Sequence, residues 1–241
     1  MKTITDTDYI HRLIAEGEHQ TQDFKFEISD ACKIAKSLSA FANTEGGRLL
    51  VGVKDNGKIA GIRSEEEIYM IEAAAQVYCV PEIQCRMQTY SVEGKTILVA
   101  QIEPNKQKPV CAKDENGKLW AYVRVKDENI LATPVHLHVW KQSDCPAGTL
   151  MKYTEREQLL LNLLTEEDYI SLNRYCRKAR ITRREGEHLL AQFIRFDIAE
   201  PVFISHKFYF RLKGTTGNNI DPAYSNVEAV TITPYELDMR F

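Results

Sequence analysis

Residues 39–62 read SAFANTEGGRLLVGVKDNGKIAGI, and how this stretch is read decides the fold. A helix-like run ends in Asn43-Thr44-Glu45-Gly46-Gly47, an apolar run follows, and Asn56-Gly57 marks a tight turn. Upstream, residues 30–43 put Ala31, Ile34, Ala35, Leu38 and Phe41 on one stripe, so the spacing predicts a helix with Asp30 as its N-cap. GRLLVGV (47–53) has the continuous apolar character of a buried strand. KIAGI (58–62) is expected to pair with it, because Asn-Gly is a strong hairpin signal. Gly46-Gly47 has two readings: a loop whose amides approach a phosphate, or a helix stop and tight turn that uses glycine's freedom at positive φ. The turn is the favoured one.

Working outward, residues 6–17 place Tyr9, Ile10, Leu13 and Ile14 at helical spacing, with Asp6 as N-cap and Gly17 as stop. DFKFEI (23–28) reads as a strand, and EEEIYMIEAAAQVYC (65–79) as a helix. Strands are expected around 83–91, 96–103 and 119–125, the first two joined at Glu93-Gly94. Helices mixed with hairpin-linked strands argue an α+β class. QSDCPAG (142–148) marks a boundary. Beyond it, 154–164, 166–179 and 181–196 read as helices, and VFISHKFYFRLK (202–213) alternates like a hairpin without an obvious two-residue turn. Three helices followed by a hairpin is the order of a winged helix-turn-helix. The expected organisation is an α+β mixed-sheet domain over 1–145, a small winged-helix domain over 150–213, and a tail over 214–241.

The 241 residues are 44% hydrophobic and 27% charged, with net charge −3, the balance of an ordered globular chain. No apolar run approaches the ~20 residues of a membrane span and no signal-peptide core is present, so a cytoplasmic protein without membrane partners is expected. Splitting at Cys145 leaves neither half basic, so nucleic-acid contact has to come from a local patch. The six cysteines contain no C-x-x-C pair, which favours free thiols over a zinc site. Gly94-Lys95-Thr96 has Thr89 where a Walker A loop needs its first glycine, so it reads as a hairpin turn.

The ordered set Gly17-Glu18, Asp23-Phe24-Lys25, Ser39–Gly47, Gly52–Gly57, Gly61-Ile62, Lys108-Pro109 and Ala121–Arg124 resembles the Schlafen-type AlbA domain family over about residues 10–133. The resemblance implies a mixed-sheet AlbA/Schlafen-like fold and nucleic-acid binding, in bacteria frequently ahead of a winged-helix module in regulator-like proteins. Some relatives cleave RNA through a carboxylate triad. By motif position the triad falls on Glu18, Asp23 and Asp55. The family usually has Glu-Phe-Lys, whereas Asp23 keeps the charge with a shorter reach.

The candidate residues each carry two readings. Glu18, Asp23 and Asp55 could hold Mg²⁺ or Mn²⁺ for phosphodiester hydrolysis, or be solvated acids paired with Lys25 and Lys54. His136 and His138 would share one face of a strand, where ordinary histidines are favoured over a metal pair. Lys25, Lys106, Lys108 and Arg124 could meet phosphates or be solvated loop charges. Arg174, Arg177, Lys178, Arg180, Arg183, Arg184 and Arg195 face only Glu185 and Glu187 within their segment. They fall at the turn and start of the third helix, where a recognition helix meets the major groove, with Lys207 on the wing.

The leading expectation is a nucleic-acid-binding protein, a DNA-binding transcriptional regulator working as a homo-oligomer, with DNA favoured over RNA and no cofactor. The alternatives are a Mg²⁺/Mn²⁺-dependent nuclease acting on structured RNA and a protein-interaction scaffold.

Overall fold

In the computed structural model, residues 5–143 and 151–214 are described. The expected tail over 214–241 lies outside them from residue 215 on. The chain divides into two compact units, Met1–Ala132 and Thr133–Phe241.

The first unit is built around a buried helix. α1 (Asp6–Glu16) is followed by β1 (Gln22–Lys25), α2 (Ala31–Asn43) and β2 (Gly47–Val51). Then come α3 (Glu66–Ala73), which runs on through a π-helical turn at Ala74–Tyr78, and β3 (Cys79–Val80). β4 (Cys85–Val92), β5 (Lys95–Ile102), β6 (Cys111–Lys113), β7 (Leu119–Val125) and β8 (Glu128–Leu131) complete it. One sheet has the order β1-β2-β5-β4, with β1 and β2 parallel and the other neighbours antiparallel. The second, antiparallel sheet has the order β3-β6-β7-β8.

Strand side chains alternate between faces, so one strand can serve two cores. Leu50 and Val99 pack with Ile10 and Leu13 of α1, while Leu49, Val51, Leu98 and Ala100 pack with Leu38 and Phe41 of α2. Burial on both faces explains the uninterrupted apolar run of β2. α2 also meets the second sheet, and the contact there is polar. Ser39 Oγ donates to the Val110 carbonyl at 2.8 Å. Asn43 Nδ2 donates to the carbonyls of Val110 (2.8 Å) and Tyr122 (2.9 Å), and its Oδ1 accepts from Val110 N–H at 2.8 Å. Asn129 Nδ2 adds a bond to Ser37 Oγ at 2.9 Å.

Asp30 caps α2 as expected, accepting from Cys32 N–H, while Thr5 rather than Asp6 caps α1. Gly46, at φ 77°, donates its N–H to the Phe41 carbonyl, and a Cβ there would stand 2.7 Å from the Ile102 carbonyl. Its amide therefore closes α2 instead of facing a phosphate. The expected pairing of 47–53 with 58–62 shrinks to one bridge, Val53 with Ile59. The cause is that β2 already has β1 and β5 on its two sides, so no open edge is left for a third partner.

In the second unit α4 (Pro134–Ser143), α5 (Glu155–Glu166), α6 (Leu172–Ala179) and α7 (Arg183–Arg195) precede the hairpin β9 (Ala199–Ile204) and β10 (Lys207–Leu212). Thr154 with Glu157 and Thr182 with Glu185 form capping boxes that start α5 and α7. Leu160, Leu164, Tyr175, Leu190, Phe193 and Phe210 form the core. The hairpin turns at Ser205-His206, both at positive φ, a two-residue turn without the usual Asn-Gly. Ile170, between α5 and α6, forms a bridge with Phe210. His136 and His138 lie in α4, not on a strand. Two residues apart on a helix, they point to different sides.

Candidate nucleic-acid interface

β1 places Asp23 beside the start of the unit's most buried polar cluster. Asp23 is 3% exposed, and its Oδ2 lies 2.6 Å from Lys25 Nζ. Its Oδ1 accepts from Arg124 Nη2 at 3.3 Å. Arg124, on β7, is 1% exposed. Its Nη1 donates to Asn129 Oδ1 at 2.9 Å, its Nη2 to the Gln22 carbonyl at 3.2 Å, and its guanidinium lies 5.1 Å from the centre of the Phe41 ring. Glu18 accepts from Phe24 N–H at 2.9 Å and is hydrogen-bonded to Asp23. Burial, then the bond to Asp23 and its charge, raises the Glu18 carboxyl above its ordinary value. Burial opposes the Asp23 charge as well, yet the bond from Glu18 and the charges of Lys25 and Arg124 outweigh it and hold that carboxyl below its ordinary value. The two carboxyls are thus shifted in opposite directions.

The structure thus joins Glu18, Asp23, Lys25 and Arg124 and leaves Asp55 apart. Asp55 sits exposed on the turn at 54–57. Among the described residues no group of three or more His, Cys, Asp or Glu is placed to hold a metal ion. With one Asp23 oxygen against Arg124 and the other against Lys25, these residues as arranged do not fit a divalent ion. Arg124 is also corrected as a phosphate contact: a side chain 1% exposed cannot reach a nucleic acid. It crosslinks the two sheets instead. Lys25 is half-buried, its ammonium on Asp23 and on the Phe24 carbonyl at 2.9 Å.

The second unit displays its cations. Arg180 occupies a left-handed conformation at φ 51° that ends α6, and Thr182 starts α7 two residues later. Arg177, Lys178, Arg180 and Arg184 are exposed and form no ion pair among the described residues. Arg174 pairs with Glu167 at 2.8 Å, and Arg183 with Glu187 at 2.9 Å and with Asn173 at 3.1 Å. Arg184 also lines a cavity of about 780 Å³ with His138, Lys152, Arg156 and His188. α4 covers the α7 face that bears His188, where Gln142 Nε2 stands 3.2 Å from His188 Nδ1. Arg177, Lys178 and Arg180 lie at the C-terminal end of α6, ahead of α7. Lys207 is exposed beside the hairpin turn.

Sequence reasoning missed the roles of Ser37, Ser39, Asn43 and Asn129, polar residues whose partners lie far along the chain. It also missed Phe26, whose ring is 38% exposed. The available signal was its position one residue past the end of β1.

No curated protein matches the chain. Among solved structures, the DIP2311 protein from Corynebacterium diphtheriae is 19% identical at TM-score 0.42, covering 67% of this chain and 37% of its own. The chain therefore spans little more than a third of that protein. The N-terminal domain of a RecG-related protein from Nitrosomonas europaea is 21% identical at TM-score 0.39, covering 64% of this chain and 99% of its own. The family described as Schlafen, AlbA_2 matches residues 18–133, the span that holds the Glu18–Asp23 pair, the α2 struts and Arg124. The match covers a little under half of the chain, and the likeness to the Schlafen, AlbA_2 family is therefore one of residues 18–133.

Proposed function

We propose that this protein binds nucleic acid and acts as a DNA-binding transcriptional regulator, with α5–α7 and the β9–β10 hairpin working as a winged helix. The observation that carries the reading is the run Arg177, Lys178, Arg180 and Arg184 at the α6–α7 turn, exposed and without an ion pair among the described residues. In a helix-turn-helix this is the part that approaches the phosphates beside the major groove. The Ile170–Phe210 bridge supports it by tying the α5–α6 link to the hairpin. The Schlafen, AlbA_2 match points to nucleic acid in the same way. A homo-oligomer would add such modest patches together, and duplex DNA is the preferred partner.

The test is a gel-shift panel of duplex DNA and RNA at low salt, with and without Mn²⁺. Duplex DNA is expected to be retarded, with affinity falling steeply as salt rises. Arg180→Ala with Arg184→Ala should weaken binding about 10-fold, from two lost phosphate contacts. No retardation of any nucleic acid would remove the proposal, and Mn²⁺-dependent cleavage would count for the nuclease reading instead.

A further inference from the structure

We infer that Phe26 is a base-stacking anchor for single-stranded nucleic acid on the first unit, with Lys54 and Arg63 holding the adjoining phosphates; this rests on the nucleic-acid reading above. β1 ends at Lys25, whose carbonyl accepts from both Gly52 N–H (2.8 Å) and Val53 N–H (3.3 Å). Phe26 follows the strand end. Phe24, two residues earlier, lies in the core with Ile10 and Leu13, whereas Phe26 is 38% exposed.

A single exposed phenylalanine needs no explanation. This one is accompanied by two cations. Lys54 Nζ lies 4.8 Å and Arg63 Cζ 5.4 Å from its ring centroid. Arg63 is held by Glu27 at 2.6 Å. Lys54 is exposed and forms no ion pair among the described residues.

The magnitudes decide what the ring can accept. An exposed cation–π contact contributes about 0.5–1 kcal/mol, whereas a base stacked on an aromatic ring contributes about 1–3 kcal/mol. A base therefore displaces the Lys54 ammonium from the ring. The displaced ammonium stays tethered one side-chain length away, where the phosphate of the same nucleotide arrives. A base inside a duplex has both faces stacked already, so the ring selects an unpaired strand. Asp55, exposed next to Lys54, works against phosphate approach and sets a preference for a strand that runs away from that turn.

The full-length protein would be titrated into fluorescein-labelled oligo(dT), oligo(U) and a mixed-sequence duplex at low salt, read by anisotropy. Phe26→Ala should weaken both single strands about 10- to 100-fold, the range of one lost stack, and leave the duplex unchanged. Phe26→Trp should keep single-strand binding and show fluorescence quenching beyond that of Trp120 and Trp140 in the wild type. Single-strand affinity unchanged in Phe26→Ala, or an unquenched Phe26→Trp, overturns the anchor while the function stands. Wild-type protein that binds duplex alone overturns the anchor too, and binding of neither overturns both.

Discussion

Arg124 in the first unit and Arg184 in the second are the same side chain in opposite surroundings. Arg124 is 1% exposed and held by Asp23, Asn129 and the Gln22 carbonyl, whereas Arg184 is exposed without an ion pair among the described residues. In one unit a guanidinium's fixed fork of donors joins two sheets. In the other, hydrated cations remain available to a partner. What separates them is the supply of acceptors within reach, since a buried guanidinium survives only where nearly every donor is met.

Substitutions can break this contrast, and the largest effect is expected at Arg124. Arg124→Leu leaves the Asp23 charge buried with Lys25 alone, and should destabilise the first unit by about 3–5 kcal/mol in urea unfolding. Asn43→Leu strands the Val110 N–H and the Tyr122 carbonyl, and should cost ~3 kcal/mol in the same assay.

The second unit has its own buried group. His136 is fully buried in α4, its Nδ1 accepting from Thr133 N–H at 3.1 Å, and burial pushes its pKa from 6.5 down to about 4. The fold keeps it neutral while the unfolded chain takes up the proton. Stability of this unit should therefore fall as pH drops from about 6.5 to about 4, by up to ~3 kcal/mol. Thermal melts across that window should show the loss, and His136→Phe should flatten it. The smallest effect belongs to Arg180→Ala with Arg184→Ala, which should move the melting stability by no more than about 0.5 kcal/mol while weakening duplex binding. A destabilisation as large as that of Arg124→Leu would erase the distinction between the units.

Much of this was legible in the residues. α2 announced itself through Asp30 and its apolar stripe, and the β4–β5 turn through Glu93-Gly94, because capping and turn chemistry are local. The basic turn before α7 was visible as a composition shift. Arg124 misled because its burial is decided by β1 and by Phe41 of α2, both distant in sequence. The hairpin expected at Asn56-Gly57 shrank because a local turn signal carries no information about who occupies the neighbouring edge. Asp55 stood at the motif position of a third carboxylate, yet its own turn carries it into solvent, away from Glu18 and Asp23.

The α2 struts have a consequence for how the chain emerges during synthesis. Asn43 bonds across 67 residues to Val110 and across 79 to Tyr122, and Ser37 across 92 to Asn129. Ser39 and Asn43 find their partners only once residues 110 and 122 have left the ribosome, and Ser37 only once residue 129 has. The β4–β5 hairpin can form earlier, but the first unit closes only when nearly all of it has been translated, a long-range step whose loop-closure entropy slows folding.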